Sequence, residues 1–314
     1  MDALTHAVIG AAVGGFSGHP LDLTDPVYIA SILGSQAPDF DILFRLKGTM
    51  PYLSQHRGAS HSLPGIVFWS GLIAAGLFLW SPSAALWPLF FWSLLGGLTH
   101  IALDFCNTHG AAVLWPFNKR RLSCNLINVF DPALLLLLMS LFTTVLTMRQ
   151  LASAAVCLIV LYLAVRGLLK QRAEAWLKEH FFGEKIEKVW LMPCLTHVFY
   201  WDFLVRTETS YYLGQIGVFF PDVKVKTELP DETASALANQ AKQTATGQFF
   251  AEFTPLCYFE ECSQEAGSTV RVYDLRYYNK MRFIHSGTIV FSDDNTPSHA
   301  YIQSYGDRIE MPAD

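Results

Sequence analysis

The chain has 314 residues, 52% of them hydrophobic and only 16% charged, with a mean hydropathy of +0.28. That is too apolar for an ordinary soluble domain and places the chain among membrane proteins. A net charge of −5, with no basic stripe interleaved with aromatic residues, excludes nucleic acid as an expected partner.

In chain order, MDALTHAVIGAAVGGFSG opens without a positively charged stretch, carrying Asp2 and His6 instead, and reads as mature structure rather than a signal peptide. Ala3 to Phe16 and Pro26 to Ala37 are short and rich in small residues. Gly10, Ala11, Ala12, Gly14 and Gly15 allow close helix packing, so the two segments are expected as a tight hairpin inside a bundle. Four stronger spans follow, Leu63 to Trp80, Ala84 to Cys106, Ala133 to Met148 and Leu151 to Leu169. Each approaches the ~20 residues needed to cross the hydrocarbon core. Arg45, Lys47, Arg57, Lys119, Arg120, Arg121, Lys170, Arg172 and Lys178 all fall on one side of the resulting topology, and only Arg149 on the other. The positive-inside rule makes the first side cytoplasmic.

After the linker KQRAEAWLKEHFFGEKIEK, the segments VWLMPC, HVFYWDFLVRT, SYYLGQIGVFF, STVRVYDLRYY and FIHSGTIVF read as strands, with a helix over Glu232 to Phe250. The expected fold is a membrane all-α helical bundle, with about four strong and two short transmembrane helices, followed by a small soluble α+β domain. Residues 1–170 form the transmembrane metal-site domain, 171–190 the linker and 191–314 the cytosolic domain. In that last domain His197, His285 and His299 stand isolated and read as structural or surface residues. The six cysteines, Cys106, Cys124, Cys157, Cys194, Cys257 and Cys262, contain no CxxC pair and fit neither a disulfide framework nor a zinc ribbon.

The remaining polar residues of the apolar half are His6, Asp39 and Asp41 in APDFD, His56, Arg57 and His61 in QHRGASHS, His100 and Asp104 in HIALDFCNTHG, and Asp131. All map to the cytoplasmic ends of helices or to cytoplasmic loops of a topology that follows from apolar length and Lys/Arg positions alone. His100 and Asp104 lie one turn apart on one helix face. Imidazole nitrogens and carboxylate oxygens without a converging thiolate suit zinc, iron or manganese in a reactive rather than a structural site. Structural readings compete: Asp39 and Asp41 can end a helix, Asp131 can cap one before Pro132, and Asn107 and His109 can be supporting partners or substrate contacts.

The blocks MDALTHAVIG, APDFD, QHRGASHS, GGLTHIALDFCNTHGAAVLWPF, NKRRLS and VFDP, in that order over roughly residues 1 to 170, resemble the YdjM family of membrane-bound, metal-dependent hydrolase-like proteins of bacteria and archaea. The β-rich tail is similar to the subset with a cytosolic C-terminal domain. The resemblance implies His6, Asp39, Asp41, His56, His61, His100 and Asp104 as metal ligands, with Asp131 as a further candidate, and Arg57 as a clamp for an anionic substrate; Arg57 and Asp131 are the expected catalytic residues. It implies a distant likeness to zinc-dependent phospholipase C and P1-type nuclease folds, which is fold-level analogy. The expected function is an inner-membrane hydrolase using divalent metal, Zn with Mn or Fe as alternatives. Its substrate is expected to be a phosphoester or lipid-like molecule drawn from membrane lipids. The alternatives are a non-catalytic membrane metal-binding protein, a transporter or a regulatory scaffold.

Overall fold

In the computed structural model, residues 1–48, 52, 57–142, 144–194, 197–231, 235–264, 267–279 and 282–313 are described. The chain divides into two units, Met1–Arg172 with Pro193–Val198, and Ala173–Met192 with Phe199–Asp314.

The first unit is helical. Helix α1 (Ala3–Gly14) is capped by Asp2, whose carboxylate accepts from the Thr5 amide at 3.0 Å. Helix α2 (Pro26–Gln36) starts behind Asp25 with proline at its first position, which suits the missing amide hydrogen there. A 3-10 stretch then runs from Ala37 to Lys47, and a single 3-10 turn, Ala59–His61, leads into α3 (Leu63–Trp80), capped by Ser62. Next come α4 (Leu86–Cys106), α5 (Pro132–Leu141) and α6 (Met148–His180).

Small residues set how α1, α2 and α4 meet. A methyl added to Gly34 of α2 would overlap the Ser93 carbonyl oxygen, and one at Gly96 of α4 would overlap that of Ser31. Backbone therefore lies against backbone, and Ser31 Oγ crosses to the Gly10 carbonyl of α1 at 2.7 Å. Below this layer Ile9, Val13, Leu103, Ile127, Leu134, Leu138 and Leu151 form an apolar core. Val67, Phe68, Leu72 and Leu79 of α3 are exposed, as expected of a face turned to lipid.

Among the described residues, three helices are long and apolar enough to cross a membrane, Leu63–Trp80, Leu86–Cys106 and Met148–His180. The span expected over Ala133 to Met148 is instead the 10-residue α5. Its end has a local cause: Ser140 Oγ bonds back to the Leu137 carbonyl and Thr144 Oγ1 to that of Leu141, each at 2.7 Å, in competition with helix continuation. Helix α6 runs past the expected end at Leu169 through the charged segment to His180.

The second unit is sheet-rich. Strands β1 (Ile186–Pro193), β2 (Tyr200–Thr207), β3 (Ser210–Gly217) and β4 (Val223–Pro230) form a meander in sequence order. Helices α7 (Ala236–Ala241) and α8 (Ala245–Phe253) follow. The helix expected over Glu232 to Phe250 is broken because Thr244 caps a new helix on the Gly247 amide at 3.2 Å; residues 232–234 lie outside the described residues. Strands β5 (Cys257–Gln264), β6 (Gly267–Asp274), β9 (His285–Phe291), β10 (Pro297–Ser304) and β11 (Asp307–Met311) build a sheet in the order β11-β10-β9-β6-β5, while β7 (Tyr278–Asn279) and β8 (Arg282–Phe283) form a small hairpin. Leu204, Leu213, Tyr211, Tyr258 and Leu275 are buried together between the two sheets.

Candidate metal centre

Four segments converge at one end of the helical unit: the start of α1, the 3-10 stretch after α2, the turn before α3 and the end of α4. Each brings chemistry that its local structure aims inward. His100 and Asp104, one turn apart on α4, are both fully buried, with His100 Nε2 at 3.5 Å from Asp104 Oδ2. His61, also fully buried, sets its Nε2 at 3.3 Å from Asp104 Oδ2, 3.3 Å from Asp39 Oδ1 and 3.1 Å from His100 Nε2. One ligand atom from each of Asp39, His61, His100 and Asp104 lies within 4.8 Å of the other three.

Hydrogen bonds behind the rings favour one tautomer. His100 Nδ1 is 2.7 Å from the Ser35 carbonyl oxygen, which can only accept, so Nδ1 carries the hydrogen. Nε2 of the neutral ring then holds a lone pair. Ser60 Oγ donates to Asp41 Oδ2 at 2.9 Å and lies 3.0 Å from His61 Nδ1. The hydroxyl hydrogen is committed to the carboxylate, so His61 Nδ1 donates and its Nε2 also faces the cluster. Two imidazole Nε2 atoms and two carboxylates thus point at one place. A cation is the occupant that this donor set fits, and carboxylate- or carbonyl-oriented histidines are the usual support of a metal site.

Without a cation a proton takes that role at His61. Burial opposes the charged ring, but the carboxylates of Asp104, Asp39 and Asp41 override it and raise the His61 pKa to about 10.

The other expected site residues fall around this core. Asp41 stands behind His61, 3.4 Å from Nδ1, and takes the Arg57 amide at 2.9 Å, which makes it a support for the ring. His6 stacks on His100 with centroids 3.7 Å apart, and its Nε2 is 3.6 Å from Asp104 Oδ1. Both His6 ring nitrogens are buried with no hydrogen-bond partner among the described residues, so His6 is poised beside the four converging groups. Asp104 Oδ1 is also contacted by the Met1 α-amino group and receives Asn107 Nδ2 at 2.9 Å.

Arg57 has a φ of +61°, in the left-handed region that a side chain rarely adopts. Its guanidinium is buried beneath the cluster, donating from Nη1 to Asn107 Oδ1 at 2.9 Å and lying 3.4 Å from Asp104 Oδ2. It therefore holds Asp104 in place. Asp131 is not brought to the cluster: it caps α5 on the Leu134 amide at 3.1 Å, and both its oxygens accept from Tyr162 OH, at 3.0 and 2.9 Å. His109 follows Asn107, whose side-chain oxygen takes the His109 and Gly110 amides at 2.9 and 3.2 Å. His56 lies outside the described residues. Sequence reasoning missed Ser60, although it adjoins His61, and the Ser35 carbonyl, which no side-chain pattern reveals.

The comparisons with known proteins agree with this organisation. The family described as YdjM inner membrane protein matches residues 1–173, and the domain described as YfhP C-terminal alpha/beta plait domain matches residues 236–308. The uncharacterized protein YfhP of Bacillus subtilis (strain 168) is 30% identical to this chain, over 96% of this chain and 94% of that protein. No solved structure matches. The helical unit with its His/Asp cluster, and a relative alike from end to end, place the chain in the YdjM family of inner membrane proteins.

Proposed function

We propose that the protein is a membrane-embedded, metal-dependent hydrolase, with Asp39, His61, His100 and Asp104 holding a divalent cation and a phosphoester of lipid-like character as substrate. Zinc suits the mixed imidazole and carboxylate donors, with manganese or iron as alternatives. The observation that carries this reading is the pair of oriented Nε2 atoms facing two carboxylates. Such a cation supplies Lewis acidity and lowers the pKa of water to about 7. The chain's own residues do the rest. Asp39 is the one partly open member of the four, its side chain 27% exposed while the other three are buried. Substrate approaches from its side, and its carboxylate is placed to take a proton. Asp41 and Ser60 orient His61, and Arg57 with Asn107 orients Asp104.

A transport reading is disfavoured by Ala30, Ala74, Leu77 and Leu89, a buried apolar layer that continues beyond the cluster between α2, α3 and α4. A purely structural or scaffolding metal site is the remaining alternative, and activity distinguishes it. In purified protein washed mildly with chelator, wild type is expected to retain divalent metal and His100→Ala to lose most of it. Wild type should also release product from a phosphoester panel in a metal-dependent way. Equal trace metal in both proteins would remove the basis of the proposal, and bound metal without hydrolysis would favour the scaffold. The cluster and the C-terminal domain are proposed to face the cytoplasm. A reporter fused after residue 314 should then be active only inside the cell, and an external signal would reverse the orientation.

A further inference from the structure

The sheet-rich unit carries an aromatic tip that its own core does not use. At one end of the first sheet, where the chain enters β2 and turns from β3 into β4, Phe199, Phe219 and Phe220 are exposed to 65%, 50% and 75%. The rings of Phe199 and Phe219 lie 6.5 Å apart. Backbone bonds fix the turn that presents them: Val218 donates its amide to the Phe199 carbonyl at 2.9 Å, Gly217 to the Asp222 carbonyl at 3.1 Å and Asp222 to the Phe220 carbonyl at 2.8 Å. A methyl on Gly217 would overlap the Phe220 carbonyl oxygen, so this close approach requires glycine. Behind the rings Tyr200 OH donates to Asp222 Oδ2 at 3.1 Å, and Lys224 Nζ lies 2.8 Å from the same oxygen and 4.9 Å from the centre of the Tyr200 ring.

An exposed aromatic patch of this kind marks a contact, and its chemistry favours a bilayer over a protein. The amides of Gly217, Val218 and Asp222 are bonded inside the unit, Pro221 has no amide hydrogen, and Asp222 and Lys224 neutralise each other. What the tip offers is hydrocarbon with a tyrosine and a lysine at its margin, which suits the boundary between water and lipid; a protein partner is met through hydrogen bonds as well. The unit is also never away from a membrane. It includes the end of α6, where Ala173 and Leu177 are buried and the Phe181 ring lies 5.0 Å from that of Tyr212 and 6.1 Å from that of Phe203. The same helix carries an apolar stretch able to cross the bilayer, and a tethered surface meets its target at high effective concentration. The chain has the reach. Beyond Leu169, α6 continues to His180, a rise of roughly 16 Å, and the eight residues of β1 span about 26 Å.

We propose that Phe199, Phe219 and Phe220 insert into the membrane surface that α6 leaves and hold the sheet-rich unit against it. The occupant of the patch is the lipid bilayer itself. The proposal goes beyond the metal-site reading and does not rest on it.

The test uses the full chain in vesicles of phosphatidylethanolamine and phosphatidylglycerol, with a photoreactive benzophenone side chain in place of Phe220 or, as the control, of the exposed Thr209 in the turn at the other end of β2 and β3. After irradiation, mass spectrometry identifies what each probe has joined. Lipid adducts are expected at position 220 and only background at position 209. Phe199→Ser with Phe219→Ser should lower the lipid adduct at position 220 about tenfold, with thermal melting as the check on folding. Should the pair not fold, Phe219→Ser alone decides. Equal lipid adducts at the two positions overturn the bilayer contact, and a second copy of this chain joined at position 220 makes the patch a self-association surface and overturns the lipid assignment. An unchanged adduct in the folded variant would mean that the tether alone places the tip, which overturns the role of the phenylalanines.

Discussion

His61 and His100 reach the cluster with their ring orientation set by Ser60 and by the Ser35 carbonyl, so proton and metal compete for the same Nε2 atoms. Because the surrounding carboxylates raise the His61 pKa to about 10, a cation binding there near neutral pH would displace a proton. Apparent metal affinity should therefore rise with pH, by about tenfold per pH unit for one displaced proton, and flatten above the His61 pKa. Isothermal titration in buffers of different ionisation enthalpy reads that proton directly; an affinity independent of pH would place the metal away from His61. At this scale the sequence was informative where spacing does the work. His100 and Asp104 are one helical turn apart, and no other arrangement was open to them once α4 formed. It was uninformative where backbone does the work. The left-handed φ of Arg57 turns its guanidinium under Asp104, so a residue expected to clamp substrate became one that orients a carboxylate. Asp131 could be read from its place before Pro132 either as a cap or as a site residue; it is the cap, and Tyr162, 31 residues further on, holds its carboxylate away from the cluster.

Helices α1, α2 and α4 owe their closeness to residues without side-chain bulk. Gly96→Ala should destabilise the protein by about 2 kcal/mol or more, since the methyl meets backbone that cannot step aside. Gly71→Ala in α3, where nothing lies within 4 Å, should be neutral or stabilise by ~0.5–1 kcal/mol through helix propensity. Thermal unfolding midpoints in detergent compare the two, and a similar shift in both would mean that the close contact carries no energy. The tight hairpin of α1 and α2 was legible from its small residues. The length of α5 was not, because an apolar count over Ala133 to Met148 passes over hydroxyls that bond back and end the helix. Strand β4 was not among the expected strands, although Val223, Val225 and Thr227 alternate there with Lys224, Lys226 and Glu228, the charged pattern of a sheet edge.

For the whole molecule, the sheet-rich unit has its own sensitivity to acid. His285 is buried among Phe253, Tyr277 and Tyr305, with Nδ1 at 2.9 Å from Ser304 Oγ. Burial lowers its pKa to about 4, with the Asp274 carboxylate opposing and the Arg276 guanidinium assisting. The unfolded chain takes up that proton near pH 6.5, so stability is full above that value, falls as pH drops toward 4, and then levels off. The loss amounts to at most about 3 kcal/mol. Hydrogen exchange of β9 and β10 in the full chain should accelerate over this window in wild type and less in His285→Gln; identical profiles would assign the acid sensitivity to another group. The division into an apolar helical part and a strand-rich part was plain from hydropathy alone, whereas the order of the second sheet depends on pairings between strands far apart in sequence. The backbone contact of α2 with α4 has a consequence for biogenesis. During synthesis the first two helices emerge long before Gly96 and can close only on each other, and the imidazoles of His61 and His100, 39 residues apart, appear at different times. The four side chains of the cluster can therefore meet only after the whole of α4 has been made, whatever the order in which the helices before it fold.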